Sequence, residues 1–288
     1  MPGPHADVTV VMPAMNREGL IARALRSVAS QTLTPARVVV VDDASDDGTA
    51  DAALAEGVEV IRMPERSGSG PARNAGIEAA TTTWVAFLDS DDEWLPEHLE
   101  TVMAHAGGRD LVSAAAVSPA GRWLGSPSRG ARRITPRTVL VPSELVVTSA
   151  TVVRREALVA AGMFRPLLRA QDLDLWIRLL EKGEGVVVGD ATVLYHEHAQ
   201  QAVKDVDLMR RTFERIVSDY ADRPWMDVLV RDGALGRVVW DDLRAAQRTR
   251  DGAAAAGCLR WFATHPAAVP AVARVLLRRA RARARLRA

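Results

Sequence analysis

The chain has 288 residues, 48% of them hydrophobic and 25% charged, with a formal net charge of +1 at pH 7. That make-up excludes a disordered or fibrous chain and allows one large α/β domain with an appendage. Its single cysteine, Cys258, excludes an internal disulfide and any thiolate cluster for zinc or iron-sulfur chemistry, and fits a reducing compartment.

In chain order, Val8 to Met12 and Val38 to Val41 are short β-branched runs bounded by turn residues, the pattern of strands covered on both faces of a parallel sheet. Between them Ile21, Leu25 and Val28 recur at helical spacing. A helix that starts after Asp46-Asp47-Gly48-Thr49 leads to a strand over 58–62. Pro71 then sits at the opening of a helix that reaches Ala80, and 84–88 is a fourth strand. The order βαβαβαβ predicts a nucleotide-binding half over residues 1–104.

From Asp110 the apolar runs lengthen, over 110–117 and 145–153, around a loop at 119–136 rich in Gly, Pro, Ser and Arg. Leu173, Trp176, Ile177 and Leu180 mark an amphipathic helix ending near Gly183, and a strand over 186–195 completes a mixed sheet in a second half, 105–203. Residues 204–288 carry no strand signal and are read as a C-terminal helical region with a basic tail.

The N-terminus has no basic segment, and its run Val8 to Met12 is too short for a signal sequence. The most apolar stretch near the C-terminus is broken by Pro270 and Arg274. The expectation is a cytoplasmic protein that is not integral to a membrane. No acidic residue follows Asp251, whereas eight arginines do (260, 274, 278, 279, 281, 283, 285 and 287). A helix over 269–286 would set Val269, Val272, Leu276 and Ala280 on one side and Arg274, Arg278, Arg281 and Arg285 on another. That form suits a peripheral contact with the anionic inner face of a membrane. The alternative is a helix packed on the domain. Nucleic acid is disfavoured, since no aromatic residue follows Phe262 to stack on bases.

Phe87-Leu88-Asp89-Ser90-Asp91-Asp92 places three carboxylates at the carboxyl end of a buried strand, where open α/β sheets bind their ligands. A divalent cation would relieve their repulsion, and hard oxygen ligands suit Mg2+ or Mn2+. The plainer alternative is that one of them caps a helix opening near Pro96. A second acidic turn, Val41-Asp42-Asp43-Ala44-Ser45-Asp46-Asp47-Gly48-Thr49, follows the second strand. Ser45 or Asp46 suits an N-cap there. Two adjacent acids cannot both cap, so Asp42 or Asp43 is left for a base edge or a ribose.

With Val10-Val11-Met12-Pro13-Ala14-Met15-Asn16 and Gly70-Pro71-Ala72-Arg73-Asn74-Ala75-Gly76, in this order and spacing, these turns resemble the family 2 glycosyltransferases, which are inverting enzymes, over residues 7 to about 200. The resemblance implies a GT-A fold, an α/β mixed sheet flanked by helices, and transfer from a nucleotide-diphosphate sugar, a UDP-sugar favoured. The acceptor would be the hydroxyl of a saccharide, lipid-linked or small-molecule compound in polysaccharide or glycoconjugate biosynthesis. It implies donor binding by Pro13, Ala14, Asn16, Asp43, Arg73, Asp89 and Asp91, and a Mn2+ or Mg2+ site at Asp91, Asp92 and His198. Segments 148–156, 161–164 and 171–176 resemble the acceptor segment, with Asp172 as catalytic base and Gln171 where a glutamate is usual. Met15 stands where tyrosine is frequent.

The residues themselves support parts of this. An arginine in a helix's first turn opposes the dipole, so an anionic partner would explain Arg73, while a carboxylate at a helix start, as at Asp172, is favoured as an anion. The alternatives are a solvated Arg73 and a capping Asp172. A sugar-1-phosphate nucleotidyltransferase would want a basic Gly-rich loop where Pro13 to Asn16 stand. A non-catalytic nucleotide-sugar-binding relative is the other reading.

Overall fold

The computed structural model describes residues 5–124, 130–141, 145–167, 169–196, 206–273 and 277. Strands β1 (His5–Ala14), β2 (Thr34–Asp42), β3 (Glu59–Arg62) and β4 (Trp84–Phe87) are parallel, in the order β3-β2-β1-β4. Helices α1 (Ile21–Ala29), α2 (Thr49–Ala55) and α3 (Ser69–Ala79) connect them. The unbroken apolar run of β1 follows from burial on both faces. Val10 and Met12 pack with Ile21, Leu25 and Val28 of α1 on one face, while Val11 packs with Ile77 of α3 on the other. A Cβ on Gly76 would lie 2.3 Å from a Val11 methyl, so α3 rests on β1 at a distance only glycine allows.

The second half adds β5 (Glu93–Trp94), α4 (His98–Met103), β6 (Leu111–Val117), β7 (Trp123–Leu124), β8 (Ala131–Ile134), α5 (Pro136–Leu140), a 3-10 turn (Thr148–Ala150), β9 (Thr151–Arg154), α6 (Arg155–Ala160), α7 (Gln171–Leu180) and β10 (Gly185–Leu194). The sheet continues β4-β9-β6-β10-β5, with β9 antiparallel to both neighbours and β10 parallel to β6. The sheet is therefore mixed, as expected. The apolar run at 145–153 is a strand only from Thr151, because the hydroxyls of Thr148 and Ser149 are drawn to carboxylates and the chain turns there.

Beyond residue 205 come α8 (Val206–Asp219), α9 (Val228–Thr249) and α10 (Gly252–Thr264). Asp227 and Asp251 cap α9 and α10, accepting from Val230 N–H at 3.0 Å and Ala254 N–H at 2.9 Å. Ile216, Val217 and Tyr220, with Val230 and Ala234 of α9, share one apolar core with Trp176 and Leu180 of α7. The helical region thus completes the core of the second half.

A short helical stretch at 268–273 packs back on α9. Cβ atoms on Gly236 and Gly233 would meet Ala268 at 2.6 Å and Ala271 at 2.9 Å. Val272 is buried there while Val269 is half-exposed, so the single apolar side expected for the tail is divided between a docked and a free part. Residues 274–276 and 278–288 lie outside the described residues.

His98 of α4 is fully buried, tilted against Trp94 with centroids 4.4 Å apart and hydrogen-bonded through Nδ1 to Thr192 Oγ1 at 2.7 Å. Burial holds it neutral and pushes its pKa down to about 3. Between that value and the unfolded pKa of about 6.5, the unfolded chain takes up a proton that the folded chain refuses, so stability falls with pH by about 1.4 kcal/mol per unit. Urea titrations should show a loss of about 2 kcal/mol between pH 7 and pH 5 that His98→Gln does not show. Equal losses in the two proteins would refute this.

Candidate active site

Because β1, β2 and β4 are parallel, their carboxyl ends meet along one edge, and the acidic turns stand there. Pro13 and Ala14 are buried at the end of β1, and Ala14 C=O accepts the Asp43 N–H at 2.8 Å. Both Asp43 oxygens are engaged, from Ser67 N–H at 2.7 Å and Gly68 N–H at 2.8 Å, which ties this turn to the start of α3. Asp42 accepts from Ser45 N–H at 3.2 Å and pairs with Arg62 at 3.1 Å. Between Asp43 and Ser45, Ala44 is held at φ 51°, a left-handed conformation that costs a non-glycine residue roughly 1–2 kcal/mol.

Neither Ser45 nor Asp46 caps α2, whose N-cap is Gly48. Ser45 Oγ instead accepts the Asn16 N–H at 2.9 Å, and Asn16 Oδ1 accepts the Asp46 N–H at 2.9 Å. Asn16 therefore stitches the first turn to the second. Met15 is exposed at the mouth.

Asp89, Asp91 and Asp92 each offer a carboxylate oxygen within 4.8 Å of the others. No aspartate caps α4, whose N-cap is Glu97. Asp89 pairs with Arg73 at 2.5 Å, and Asp91 lies 3.8 Å from Arg17, a residue the sequence reading did not single out. Asp92 is buried and accepts from Ser149 Oγ–H at 2.6 Å and His196 N–H at 3.0 Å. Desolvation, and then the nearby charge of Asp89, push its pKa up to about 8.

Arg73 is buried in the first turns of α3. Its guanidinium lies 5.4 Å from the Phe164 ring centroid, and its Nε has no partner among the described residues. Asn74 and Phe164 exchange two hydrogen bonds, at 2.8 and 2.9 Å, which fix α3 against the loop before α7.

The N-cap of α7 is Ala170, at φ 50°, so Asp172 belongs to the helix's first turn and is not its cap. Asp172 accepts from Thr148 Oγ1–H at 3.1 Å. Consecutive residues of one 3-10 turn thus hold Asp172 and Asp92. The Tyr195 phenol is raised above its ordinary pKa by burial and then by the charges of Asp92, Asp89, Asp91 and Asp172. Gln171 Oε1 is buried against Gly70 without a partner among the described residues.

Two residues further along α7, the buried Asp174 accepts from Arg178 Nε–H at 2.9 Å and from the Tyr220 hydroxyl at 2.9 Å. Arg178 also donates to the carbonyls of Ala161 and Met163. His196 donates through Nε2–H to Glu93 Oε1 at 2.7 Å, in keeping with a structural role, and His198 lies outside the described residues.

A mixed sheet of this order, with an acid cluster at the ends of its parallel strands, is the GT-A class of α/β protein. The chain belongs to glycosyl transferase family 2, whose model matches residues 9–158. It is 30% identical over 186 residues to the putative teichuronic acid biosynthesis glycosyltransferase TuaG of Bacillus subtilis, covering 61% of this chain and 73% of TuaG. It is 48% identical over 103 residues to the succinoglycan biosynthesis protein ExoW of Rhizobium meliloti, where it spans only 32% of that protein's length against 33% of its own. Among solved structures, S. aureus TarS 1-349 in complex with UDP-GlcNAc superposes with a TM-score of 0.65 at 20% identity, covering 81% of this chain and 71% of TarS. The mannosyltransferase PcManGT of Pyrobaculum calidifontis, in complex with GDP-Man and Mn2+, gives 0.62 at 19% identity, covering 95% and 86%. At such identities the likeness establishes the fold.

Proposed function

We propose that this glycosyltransferase moves a sugar from a nucleotide-diphosphate sugar, a UDP-sugar first, to an acceptor hydroxyl by a metal-assisted single displacement that inverts the anomeric centre. The observation that carries the reading is the turn at Thr148 and Ser149, whose consecutive hydroxyls hold Asp172 and Asp92 of the acid cluster. In it Asp172 takes the acceptor proton on the face opposite the leaving diphosphate.

The three carboxylates of the cluster are hard oxygen donors that fit a divalent cation. Asp91 and Asp92, with His198, would hold Mn2+ or Mg2+, which supplies positive charge against the leaving group. Arg73, whose Nε–H is unspent, then turns its donors to the diphosphate. Asp89 and Asp91 receive the ribose, and Asp43 the base, over a floor of Pro13 and Ala14 with Asn16 at its rim.

The relatives' names speak of succinoglycan and teichuronic acid, so we take the acceptor to be a growing or lipid-linked saccharide. No helix among the described residues is long and apolar enough to cross a membrane. We place the reaction in the cytoplasm, with the basic C-terminal region at the inner membrane face.

A thermal-shift screen of UDP-, GDP- and dTDP-sugars with Mn2+ tests the donor. The matching donor, at about a hundredfold over its Kd, adds about 2.7 kcal/mol and raises Tm by roughly 5 °C. No shift with any of them would remove the donor reading, and a shift with GDP-sugars alone would reassign the base.

A further inference from the structure

Arg17 stands at the seam between the first turn and the acid cluster. Its backbone is pinned on both sides: the N–H donates to Thr49 Oγ1 at 2.7 Å, and the C=O accepts the N–H groups of Leu20 and Ile21, both at 2.9 Å. Only the side chain is left to move. Its Nη1–H donates to the carbonyls of Met15 at 3.3 Å and Asn16 at 3.0 Å, which folds the guanidinium back over the turn that follows β1, while Nη2 stands 3.8 Å from Asp91 Oδ2.

Arg17 and Arg73 serve the cluster differently. Arg73 meets Asp89 at 2.5 Å with 9% of its side chain exposed, whereas Arg17 is 20% exposed and stays beyond hydrogen-bond distance of Asp91. Arg17 therefore lends Asp91 its charge without a committed bond. A guanidinium and a divalent cation on one carboxylate repel each other, so the two compete for Asp91. With the cation added, Asp89, Asp91, Asp92, Arg17 and Arg73 sum to one positive charge, which suits a diphosphate.

We infer that Arg17 is a diphosphate-binding residue that waits on Asp91: it neutralises that carboxylate in the resting enzyme and turns to the donor's diphosphate once the cation is bound. This deepens the metal-assisted donor reading proposed above and rests on it. It gives the removal of Arg17 two effects of opposite sign. The cation alone should bind better, having lost a competitor, while the diphosphate in the presence of the cation should bind worse. A residue that only held the turn in shape would, on removal, weaken both.

Calorimetry on the full chain tests this with Mn2+ alone, and then with UDP, GDP or dTDP in saturating Mn2+. Arg17→Gln, which loses the charge but can still donate to the carbonyls of the turn, should bind Mn2+ about threefold more tightly. It should bind the nucleoside diphosphate that the parent takes about tenfold more weakly. Arg17→Lys, which keeps a charge, should bring both affinities back toward the parent. Mn2+ and nucleoside diphosphate both bound as in the parent, or both bound more weakly, would overturn the role given to Arg17 and leave the donor reading standing. Tighter Mn2+ with an unchanged nucleoside diphosphate would overturn it too, since Arg17 would then be a counter-ion only. A parent that binds neither Mn2+ nor any of the three diphosphates overturns the donor reading and this inference with it.

Discussion

Asp172→Asn lowers turnover by roughly a hundredfold to ten-thousandfold and leaves Mn2+-dependent donor binding at the parent value. The amide keeps the shape of the carboxylate and still accepts from Thr148 Oγ1–H, so the start of α7 has no reason to move. What it loses is the capacity to take the acceptor's proton. Initial rates with donor and acceptor, set beside calorimetry with donor and Mn2+, separate the two effects. Turnover near that of the parent would remove Asp172 from the role of base.

Asp91→Asn fails in the other assay. It removes a charge from a cluster whose three oxygens lie within 4.8 Å of one another, and Arg17 loses its partner at 3.8 Å. Donor affinity in Mn2+ should fall at least about tenfold, and transfer should be lost with it, because the diphosphate is then held by arginines alone. Donor affinity without metal should change little. An Asp91→Asn protein that binds donor in Mn2+ as tightly as the parent would detach this aspartate from the cation. Between them the two variants divide the acids into those that hold the donor and the one that acts on the acceptor.

The parts of this arrangement legible in the sequence are those set by local pattern. β1, β2 and β4 announce themselves as apolar runs, the latter two stopped by acids, and burial on both faces is what makes such runs unbroken. Because the strands are parallel, the acids that follow β2 and β4 stand along the same edge of the sheet. The residues that escaped notice act only after the chain has closed. Ser149 lies 57 residues from Asp92, Arg17 is one of many arginines, and Tyr195 reads as the last residue of a strand. No spacing rule points to any of them. The same limit explains the misassigned caps. Ser45 has the chemistry of an N-cap, but Asn16, brought alongside by the pairing of β1 with β2, claims its hydroxyl first.

The pairing of Tyr220 with Asp174 bears on how this enzyme can be taken apart. The helix that presents Asp172 is steadied two residues later by a phenol from the far end of α8, and Trp176 shares its core with Ile216 and Val217. A protein trimmed after the last strand would leave that carboxylate short of a donor and lay bare the flank of α7. Hybrids that exchange acceptor segments between relatives should therefore carry the trailing helices with them. In this chain the second half is not a cassette.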